Sequence, residues 1–233
     1  MKRPILFDLF CCQGGAGTGY DRAGFEVIGV DIEPQPRYPY RFVQANAMQV
    51  LQFLAMKAEP WEGAPYPAAI HASPPCQRFT TMSTRWRLKG GTLASRREDL
   101  LTPTLALIRT LPIPYVVENV PGAKRHMRPT LLLHGGMFGL RVHRPRLFES
   151  SAFMLAPMAP RTRQPVGVYG DHPQRHLTPG GNGSLLRRAS SIDEAREVMG
   201  MPWADWHGCK EAIPPAYTEF IGRQLIEQLA VAR

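Results

Sequence analysis

One cysteine in this sequence stands where a nucleophile could be mounted. A short apolar run, residues 68–71, ends in Ala72-Ser73-Pro74-Pro75-Cys76-Gln77. Proline fixes φ and disfavours the helical region for the residue before it, so the chain leading to Cys76 should be extended and stiff. The pattern predicts a strand that feeds an exposed thiol. Taken alone, an isolated Pro-Pro-Cys is more often a loop with an inert, buried cysteine.

Two carboxylates also stand at the ends of apolar runs. Residues 26–30 lead into Asp31, and residues 114–117 lead into Glu118. If these runs are strands of one parallel sheet, their carboxyl ends meet at the edge where ligands bind. The sequence therefore predicts that Asp31, Cys76 and Glu118 share one edge of a sheet.

A glycine-rich segment precedes Asp31. The apolar run 5–10 meets Cys11-Cys12-Gln13-Gly14-Gly15-Ala16-Gly17-Thr18-Gly19, and residues compatible with a helix begin at Tyr20. Glycines let the backbone approach a ligand, and a carboxylate at the tip of the next strand can accept hydrogen bonds from both ribose hydroxyls. The pattern indicates a nucleotide-type site, although tight turns also need glycine.

Strands and helices alternate along the first 149 residues, which predicts an α/β fold with a parallel sheet. We predict strands at 5–10, 26–31, 42–46, 68–71 and 114–117, another strand after the basic cluster that begins at 139, and helices from residue 20, over 48–57 and over 100–111. Residues 150–208 show no sheet pattern, but a capped helix is expected over 191–200. An amphipathic helix with proline in its first turn is expected over 214–229.

Composition and charge narrow the class of protein. The chain has 233 residues, 44% hydrophobic and 20% charged, which suits one domain of moderate size or one domain with a small lobe. A net charge of +9 favours an anionic partner, and nucleic acid comes ahead of a membrane surface because no basic amphipathic helix stands out. The basic segment 77–98 is either a solvated loop or a lid that closes on a polyanion.

The cysteines and the hydrophobic runs indicate a compartment. Two of the four cysteines are adjacent, which suits neither a disulfide framework nor a metal site, so we expect a reducing environment and no metal. No signal peptide is recognisable, and no apolar run reaches the roughly 18 residues of a membrane span. These features predict a soluble, cytoplasmic protein without a membrane partner.

Four motifs, taken in order, resemble those of the cytosine-5 DNA methyltransferases. They are Asp8-Leu9-Phe10-Cys11-Cys12-Gln13-Gly14-Gly15, Ser73-Pro74-Pro75-Cys76-Gln77, Glu118-Asn119-Val120 and Arg144-Pro145-Arg146, and residues 212–222 resemble the C-terminal helix motif of that family. The resemblance implies a Rossmann-like class I S-adenosylmethionine-dependent methyltransferase fold with a small irregular recognition lobe. It implies a catalytic and cofactor-binding domain at 1–149, a target-recognition region at 150–208 and a C-terminal helix at 209–233 that packs back on the catalytic domain.

The resemblance also implies a reaction, the transfer of a methyl group from S-adenosylmethionine to carbon 5 of a cytosine flipped out of duplex DNA. Carbon 5 is a poor nucleophile, and addition of a cysteine thiolate to carbon 6 activates it. By resemblance, Cys76 is that thiolate and Glu118 protonates or hydrogen-bonds ring nitrogen 3. Arg146 is expected to hold the carbonyl oxygen of the base, and Arg144 to support the site.

The remaining site residues come from the same resemblance. Those expected near S-adenosylmethionine are Asp8, Phe10, Cys11, Gly14, Gly15, Asp31, Asn46, Pro75, Leu100, Glu211 and Ala212. Those expected to contact DNA are Gln77, Arg78, Arg85, Arg87 and Arg97, in a loop that closes behind the flipped base. We expect a monomer, of the small stand-alone type found in phages and restriction–modification systems.

Three positions depart from the family pattern. Cys12 replaces the usual glycine of the cofactor turn, Val142 replaces the glutamine that opens the arginine motif, and Glu211 stands where an asparagine close to the reaction centre is usual. Two alternatives stay open. One is a tRNA cytosine-5 methyltransferase, and the other is a catalytically silent nucleic-acid-binding protein with the same fold.

Overall fold

A mixed sheet of seven strands forms the centre of the structure. The structure, a computed structural model, describes residues 2–79, 99–158, 165–170, 173 and 187–231. The strands are β1 (Ile5–Leu9), β2 (Glu26–Asp31), β3 (Arg41–Gln44), β4 (Ala69–Ala72), β5 (Tyr115–Asn119), β6 (Leu131–Leu133) and β7 (Arg146–Ser150). Their order across the sheet is β3-β2-β1-β4-β5-β7-β6.

The first five strands are parallel, as predicted, but the last two are not. β7 runs antiparallel to β5, and β6 runs antiparallel to β7. A parallel return would need a crossover, usually a helix. The chain between β5 and β7 instead folds into β6 and two short 3₁₀ helices, Pro121–Ala123 and Gly135–Phe138. The expectation of a parallel sheet is therefore wrong at this edge, and β6 was not predicted.

Six helices are described: α1 (Gly15–Ala23), α2 (Ala47–Ala55), α3 (Leu101–Ile108), α4 (Ile192–Met199), α5 (Trp206–Glu211) and α6 (Pro215–Val231). The capped helix expected near residue 191 is confirmed, since the Ser191 side chain accepts a hydrogen bond from the Glu194 N–H and Gly200 ends the helix with positive φ. The C-terminal helix is also confirmed. α1 begins five residues earlier than predicted, because most of the glycine-rich segment is helical.

The two faces of the sheet bury different helices. Phe7 and Ile28 belong to an apolar cluster with Leu51 of α2 and Leu105 of α3. On the opposite face, buried side chains of β1, β2 and β5 pack with α1 and α6, among them Leu6, Val27, Val116, Tyr20, Tyr217 and Ile221. Successive residues of a strand point to opposite faces, and helices cover both faces of the central strands. The edge at which the carboxyl ends of the parallel strands lie is therefore the part of the sheet that a ligand can reach.

A third apolar cluster lies beside the sheet. Two parallel two-residue strands, β8 (Val166–Gly167) and β9 (Arg187–Arg188), form a second small sheet. Val142 and Val166 pack with α4 in this cluster. The expectation of no sheet in this region is wrong, because strands of two residues are too short to leave an alternating pattern. None of the described helices has the length and apolar character of a membrane span.

Helices α1 and α6 pack closely against each other, and this contact explains why residue 19 of α1 is a glycine. A Cβ atom added to Gly19 would lie 2.1 Å from the Pro215 carbonyl oxygen and 2.5 Å from the Glu219 backbone nitrogen. The Thr218 hydroxyl donates to the Ala16 carbonyl oxygen at 2.8 Å across the same contact. Gly19 therefore serves helix packing and not ligand binding.

We expect Gly19→Ala to destabilise the fold by about 1–3 kcal/mol, measured as the free energy of unfolding in urea. Alanine gains roughly 1 kcal/mol of helix propensity over glycine, but the added methyl group meets backbone atoms that cannot move aside. Gln52→Ala, at an exposed position of α2, should change the free energy by less than about 0.5 kcal/mol. A more stable Gly19→Ala variant would contradict the close contact.

Candidate active site

The platform of Cys76 is held by three backbone contacts. β4 is buried along its length and ends at Ala72, and the Ser73 N–H donates to the Leu9 carbonyl oxygen at 3.1 Å. The Asn119 side-chain amide donates to the Pro74 carbonyl oxygen at 3.0 Å. The Phe79 N–H donates to the Cys76 carbonyl oxygen at 2.9 Å and closes the turn after the cysteine. These hydrogen bonds therefore fix the backbone that carries the Cys76 thiol.

Glu118 and Arg146 form an ion pair beside this platform. Arg146 Nε lies 2.8 Å from Glu118 Oε1, and the two side chains are only 11% and 9% exposed. Because β7 is antiparallel to β5, Arg146 at its start lies near Glu118 at the carboxyl end of β5. The Ser73 side chain also lies near the Glu118 carboxylate as a hydrogen-bond donor. Burial raises the pKa of Glu118, and Arg146, Ser73 and Arg144 oppose that rise.

The thiol of Cys76 is not activated in the free protein. Burial raises its pKa above the ordinary value. Arg146 and Arg144 lower this pKa, whereas the negative charges of Glu118 and Glu211 raise it. Thiolate formation at neutral pH therefore needs a change in these charges, such as protonation of Glu118.

The side chains of Cys76, Glu118 and Arg146 lie on the wall of a cavity of about 520 Å³. The predicted residues that line it are Asp8, Phe10, Cys11, Gly15, Asp31, Asn46, Pro75, Cys76, Gln77, Leu100, Glu118, Arg146, Glu211 and Ala212. The wall also includes residues that were not predicted: Cys12, Ala16, Ile32, Glu33, Gln35, Ala47, Met48, Ser73, Pro74, His207 and Ile213. His207 lies one turn before Glu211 on α5, a spacing that could have indicated it.

Four groups of predicted residues lie elsewhere. Gly14 adopts φ 82° and packs on Tyr38 and Pro39, behind the cavity wall. Arg78 is exposed and does not line the cavity. Arg85, Arg87 and Arg97 lie outside the described residues. Arg144 is buried and does not line the cavity either.

Arg144 joins the small sheet to the site from behind. Its Nη1 donates to the Val168 carbonyl oxygen at 2.9 Å, and its Nη2 donates to the Lys210 carbonyl oxygen next to Glu211. The Tyr217 hydroxyl donates to the Arg144 carbonyl oxygen at 2.9 Å. Burial lowers the pKa of Arg144 to about 10, which leaves it a cation at neutral pH. Arg144 thus holds the backbone at Val168 and Lys210.

The turn between β1 and α1 forms the opposite wall. Phe10 and Cys12 adopt positive φ, 58° and 46°, and the Cys12 N–H donates to Asp31 Oδ2 at 2.9 Å. Positive φ is uncommon for residues with a side chain and is found at ligand-binding turns. Cys12 thus takes the left-handed conformation that a glycine would adopt easily. Asp31 holds this turn in place as well as facing the cavity.

Asp8 is an unusual carboxyl group on this wall. Its Oδ2 accepts a hydrogen bond from the Tyr38 hydroxyl at 3.0 Å, but its buried Oδ1 has no partner among the described residues. Burial raises the pKa of Asp8 to about 8. An unpartnered buried acceptor at a cavity wall fits a ligand that carries a hydrogen-bond donor or a positive charge.

Asp8 should make the protein less stable as pH rises from about 4 to about 8. Across this range the unfolded chain has lost the proton near its ordinary pKa of 3.8, whereas the folded protein retains it until about 8. Asp8→Asn removes this titration, so its free energy of unfolding should depend less on pH between 4 and 8. Urea denaturation at several pH values measures the difference. Asp193→Asn, at a side chain 85% exposed, is the control, and equal pH dependence in wild type and Asp8→Asn would contradict the raised pKa.

Glu118→Gln should increase the reactivity of Cys76. The substitution removes a negative charge that raises the pKa of the thiol and leaves Arg146 without its partner, and both effects favour the thiolate. The measurement is the rate of iodoacetamide alkylation of Cys76 at pH 7.5, followed by peptide mass spectrometry. Glu197→Gln at an exposed position is the control. A slower rate in Glu118→Gln would show that this charge balance is wrong.

Comparison with solved structures shows the fold. A protein described as a DNA modification methyltransferase encoded within an E. coli prophage matches with a TM-score of 0.60 and 15% identity, over 97% of this chain and 99% of its own. The Entamoeba histolytica methyltransferase EhMeth matches with a TM-score of 0.60 and 11% identity, over 98% and 99%. The S. pombe Dnmt2 methyltransferase matches with a TM-score of 0.58 and 12% identity, over 98% and 99%.

No protein-family model matches the sequence, and no curated protein matches it significantly. The likeness to the solved structures therefore shows the fold alone. The architecture of this chain is the predicted Rossmann-like class I S-adenosylmethionine-dependent methyltransferase fold.

Proposed function

We propose that this protein transfers a methyl group from S-adenosylmethionine to carbon 5 of a cytosine in DNA, through a covalent adduct with Cys76. The observation that carries the proposal is the convergence of Cys76, Glu118 and Arg146 on one wall of a cavity whose other wall is a strained turn followed by an acidic strand tip. A thiol, a buried carboxyl group and a cation are the groups that this chemistry needs. The shared fold with the prophage DNA modification methyltransferase supports DNA as the substrate.

The turn side of the cavity fits S-adenosylmethionine, which supplies an electrophilic methyl group when bound. Asp8 offers its unpartnered oxygen, and Asp31 and Glu211 add carboxylates to the wall. These groups suit a cofactor that carries ammonium and sulfonium charges and two ribose hydroxyls. Phe10 and Leu100 offer apolar surface for its adenine. Among the described residues no cluster suitable for a metal is found.

Cys76 begins the reaction by adding to carbon 6 of the base. As the carbon–sulfur bond forms, the electrons of the double bond between carbons 5 and 6 become available at carbon 5, which can then form a bond to the methyl group. In that transfer the methyl–sulfur bond of the bound cofactor would break, and its sulfur would keep the electron pair as a neutral thioether. Glu118 provides the proton or hydrogen bond to ring nitrogen 3, and burial, which raises its pKa, favours the protonated form that this task needs. Arg146 supplies positive charge where negative charge develops on the base.

Release of the product reverses the addition. The hydrogen on carbon 5 leaves as a proton to a base, for which water suffices, and its electron pair restores the double bond as the carbon–sulfur bond breaks. Cys76 then regains a proton. A cytosine inside a duplex is out of reach of such a cavity, so the base must be flipped out of the DNA.

The partner, the compartment, the biological setting and the target-recognition region are also part of this proposal. The net charge of +9 supports a polyanionic partner. All four cysteines are free thiols, which supports a reducing cytoplasm. A monomeric modification enzyme of phage or restriction–modification type is the setting we propose, on the likeness to the prophage protein. We also propose residues 150–208 as the target-recognition region.

Cys76→Ser should abolish methyl transfer, with a loss of more than about 10³-fold, because a serine hydroxyl is far less ionised and less nucleophilic than a thiol. Transfer is measured with tritiated S-adenosylmethionine and mixed-sequence duplex DNA. Cys209→Ala is the control, since this thiol is buried in α5 and does not line the cavity. A fully active serine variant would exclude the covalent route.

Duplex DNA containing 5-fluorocytosine should trap the wild-type protein as a covalent complex, because fluorine at carbon 5 cannot leave as a proton. Cys76→Ser should form no such complex. Methylation of tRNA in place of DNA would favour the RNA alternative. Bound cofactor without trapping on any sequence would favour the catalytically silent alternative.

A further inference from the structure

A chain of hydrogen bonds runs from the interior of the protein to Glu118. The Tyr20 hydroxyl oxygen lies 3.0 Å from His71 Nδ1, and His71 Nε2 lies 2.8 Å from Ser73 Oγ. The Ser73 side chain in turn lies near the Glu118 carboxylate and, as a hydrogen-bond donor, lowers the pKa of that group. Tyr20 and His71 are fully buried on the side of the sheet covered by α1 and α6. The cavity wall is thus connected to a polar group that never faces the cavity.

The donor in each of these hydrogen bonds follows from the number of hydrogens available. An ionised carboxylate only accepts, so Ser73 gives its one hydroxyl hydrogen to Glu118. His71 Nε2 must then carry the hydrogen shared with Ser73 Oγ. Burial lowers the pKa of His71 to about 3, so the ring is neutral and has one N–H. While Glu118 is ionised, Nδ1 therefore accepts from the Tyr20 hydroxyl, and His71 is held in its Nε2–H tautomer.

We infer that His71 is a positioning residue for Glu118. In its Nε2–H form it occupies the acceptor side of the Ser73 hydroxyl and thereby directs the hydroxyl hydrogen to the Glu118 carboxylate. The catalytic meaning of this inference rests on the proposed function, in which Glu118 acts on the base. The hydrogen-bond chain itself does not.

The consequence is a control on the protonation of Glu118. Burial raises the pKa of this carboxyl group, and the hydrogen bond from Ser73 holds the rise back because it stabilises the charged form. If His71 no longer donates, Ser73 is free to turn its hydrogen elsewhere. The pKa of Glu118 then rises further, and the pH at which the group gives up its proton moves upward.

Other charged and titratable groups face the chain, and the variants below leave them in place. Arg146 of β7, Arg144 just before that strand, and Cys76 interact electrostatically with Glu118, as does Tyr217 of α6. Asp8 on β1 is paired with His71 in the sheet and is a second buried carboxyl group. Its signal must be separated from that of Glu118.

The test compares His71→Leu, which removes the donor, with His71→Gln, whose amide nitrogen can take the place of Nε2. The protonation midpoint of Glu118 is followed by infrared spectroscopy of the carboxylic C=O stretch in the protein without cofactor or DNA. Glu118→Gln and Asp8→Asn assign the two bands. We expect the Glu118 midpoint to move to higher pH in His71→Leu and to stay at its wild-type value in His71→Gln.

Two further measurements keep the inference testable if His71→Leu fails to fold. Ser73→Ala removes the hydrogen bond directly and should move the Glu118 midpoint in the same direction. Nitrogen-15 NMR of the wild-type protein should show His71 protonated at Nε2. An Nδ1–H tautomer, or an unchanged Glu118 midpoint in folded Ser73→Ala, would overturn the inference.

Activity separates this inference from the proposed function. If the protein methylates DNA, the alkaline limb of its pH–rate profile should move upward in His71→Leu and not in His71→Gln. A shifted midpoint with no transfer to any nucleic acid would preserve the hydrogen-bond chain and refute the proposed reaction. Methyl transfer together with an unchanged Glu118 midpoint in the variants would support the proposed reaction and refute the role of His71.

Discussion

The candidate site depends on the ion pair between Glu118 and Arg146. A buried carboxylate beside a buried guanidinium is stable only when each neutralises the other, and removal of one partner leaves an uncompensated charge. The two members of the pair come from neighbouring antiparallel strands, β5 and β7. One interaction therefore sets the charge around Cys76 and links the ends of two strands at the cavity.

The antiparallel strand solves a problem of geometry. The parallel strands bring Asp31, Cys76 and Glu118 to the edge of the sheet where their carboxyl ends lie. The amino end of a further parallel strand would lie at the opposite edge, far from these residues. Because β7 runs the other way, the start of that strand delivers Arg146 to the same edge. The arginine motif is recognisable in the sequence, but the direction of β7 is not, because it depends on how the chain between β5 and β7 folds.

Much of the fold was predictable from local patterns. Apolar runs bounded by turns located β1 to β5, and the Ser191 cap and terminal proline located α4 and α6. Part of the site was predictable for the same reason, since Asp31, Cys76 and Glu118 follow strands that share an edge. His71 was not, because it is an inward-facing strand residue, and His207 had only its one-turn spacing from Glu211 on a short helix to indicate it. Gly19 shows the converse, a residue that fits a ligand motif but serves helix packing.

The contact between α1 and α6 has a consequence for how the chain reaches this structure. The Ala16 carbonyl oxygen and the Thr218 hydroxyl are joined across 202 positions of sequence. Until α6 has been synthesised, the apolar face formed by Leu6, Tyr20 and Val27 has no cover on that side. β1 and α1 thus complete their packing only after α6 has been made, and their exposed face is where assistance or aggregation during synthesis would act.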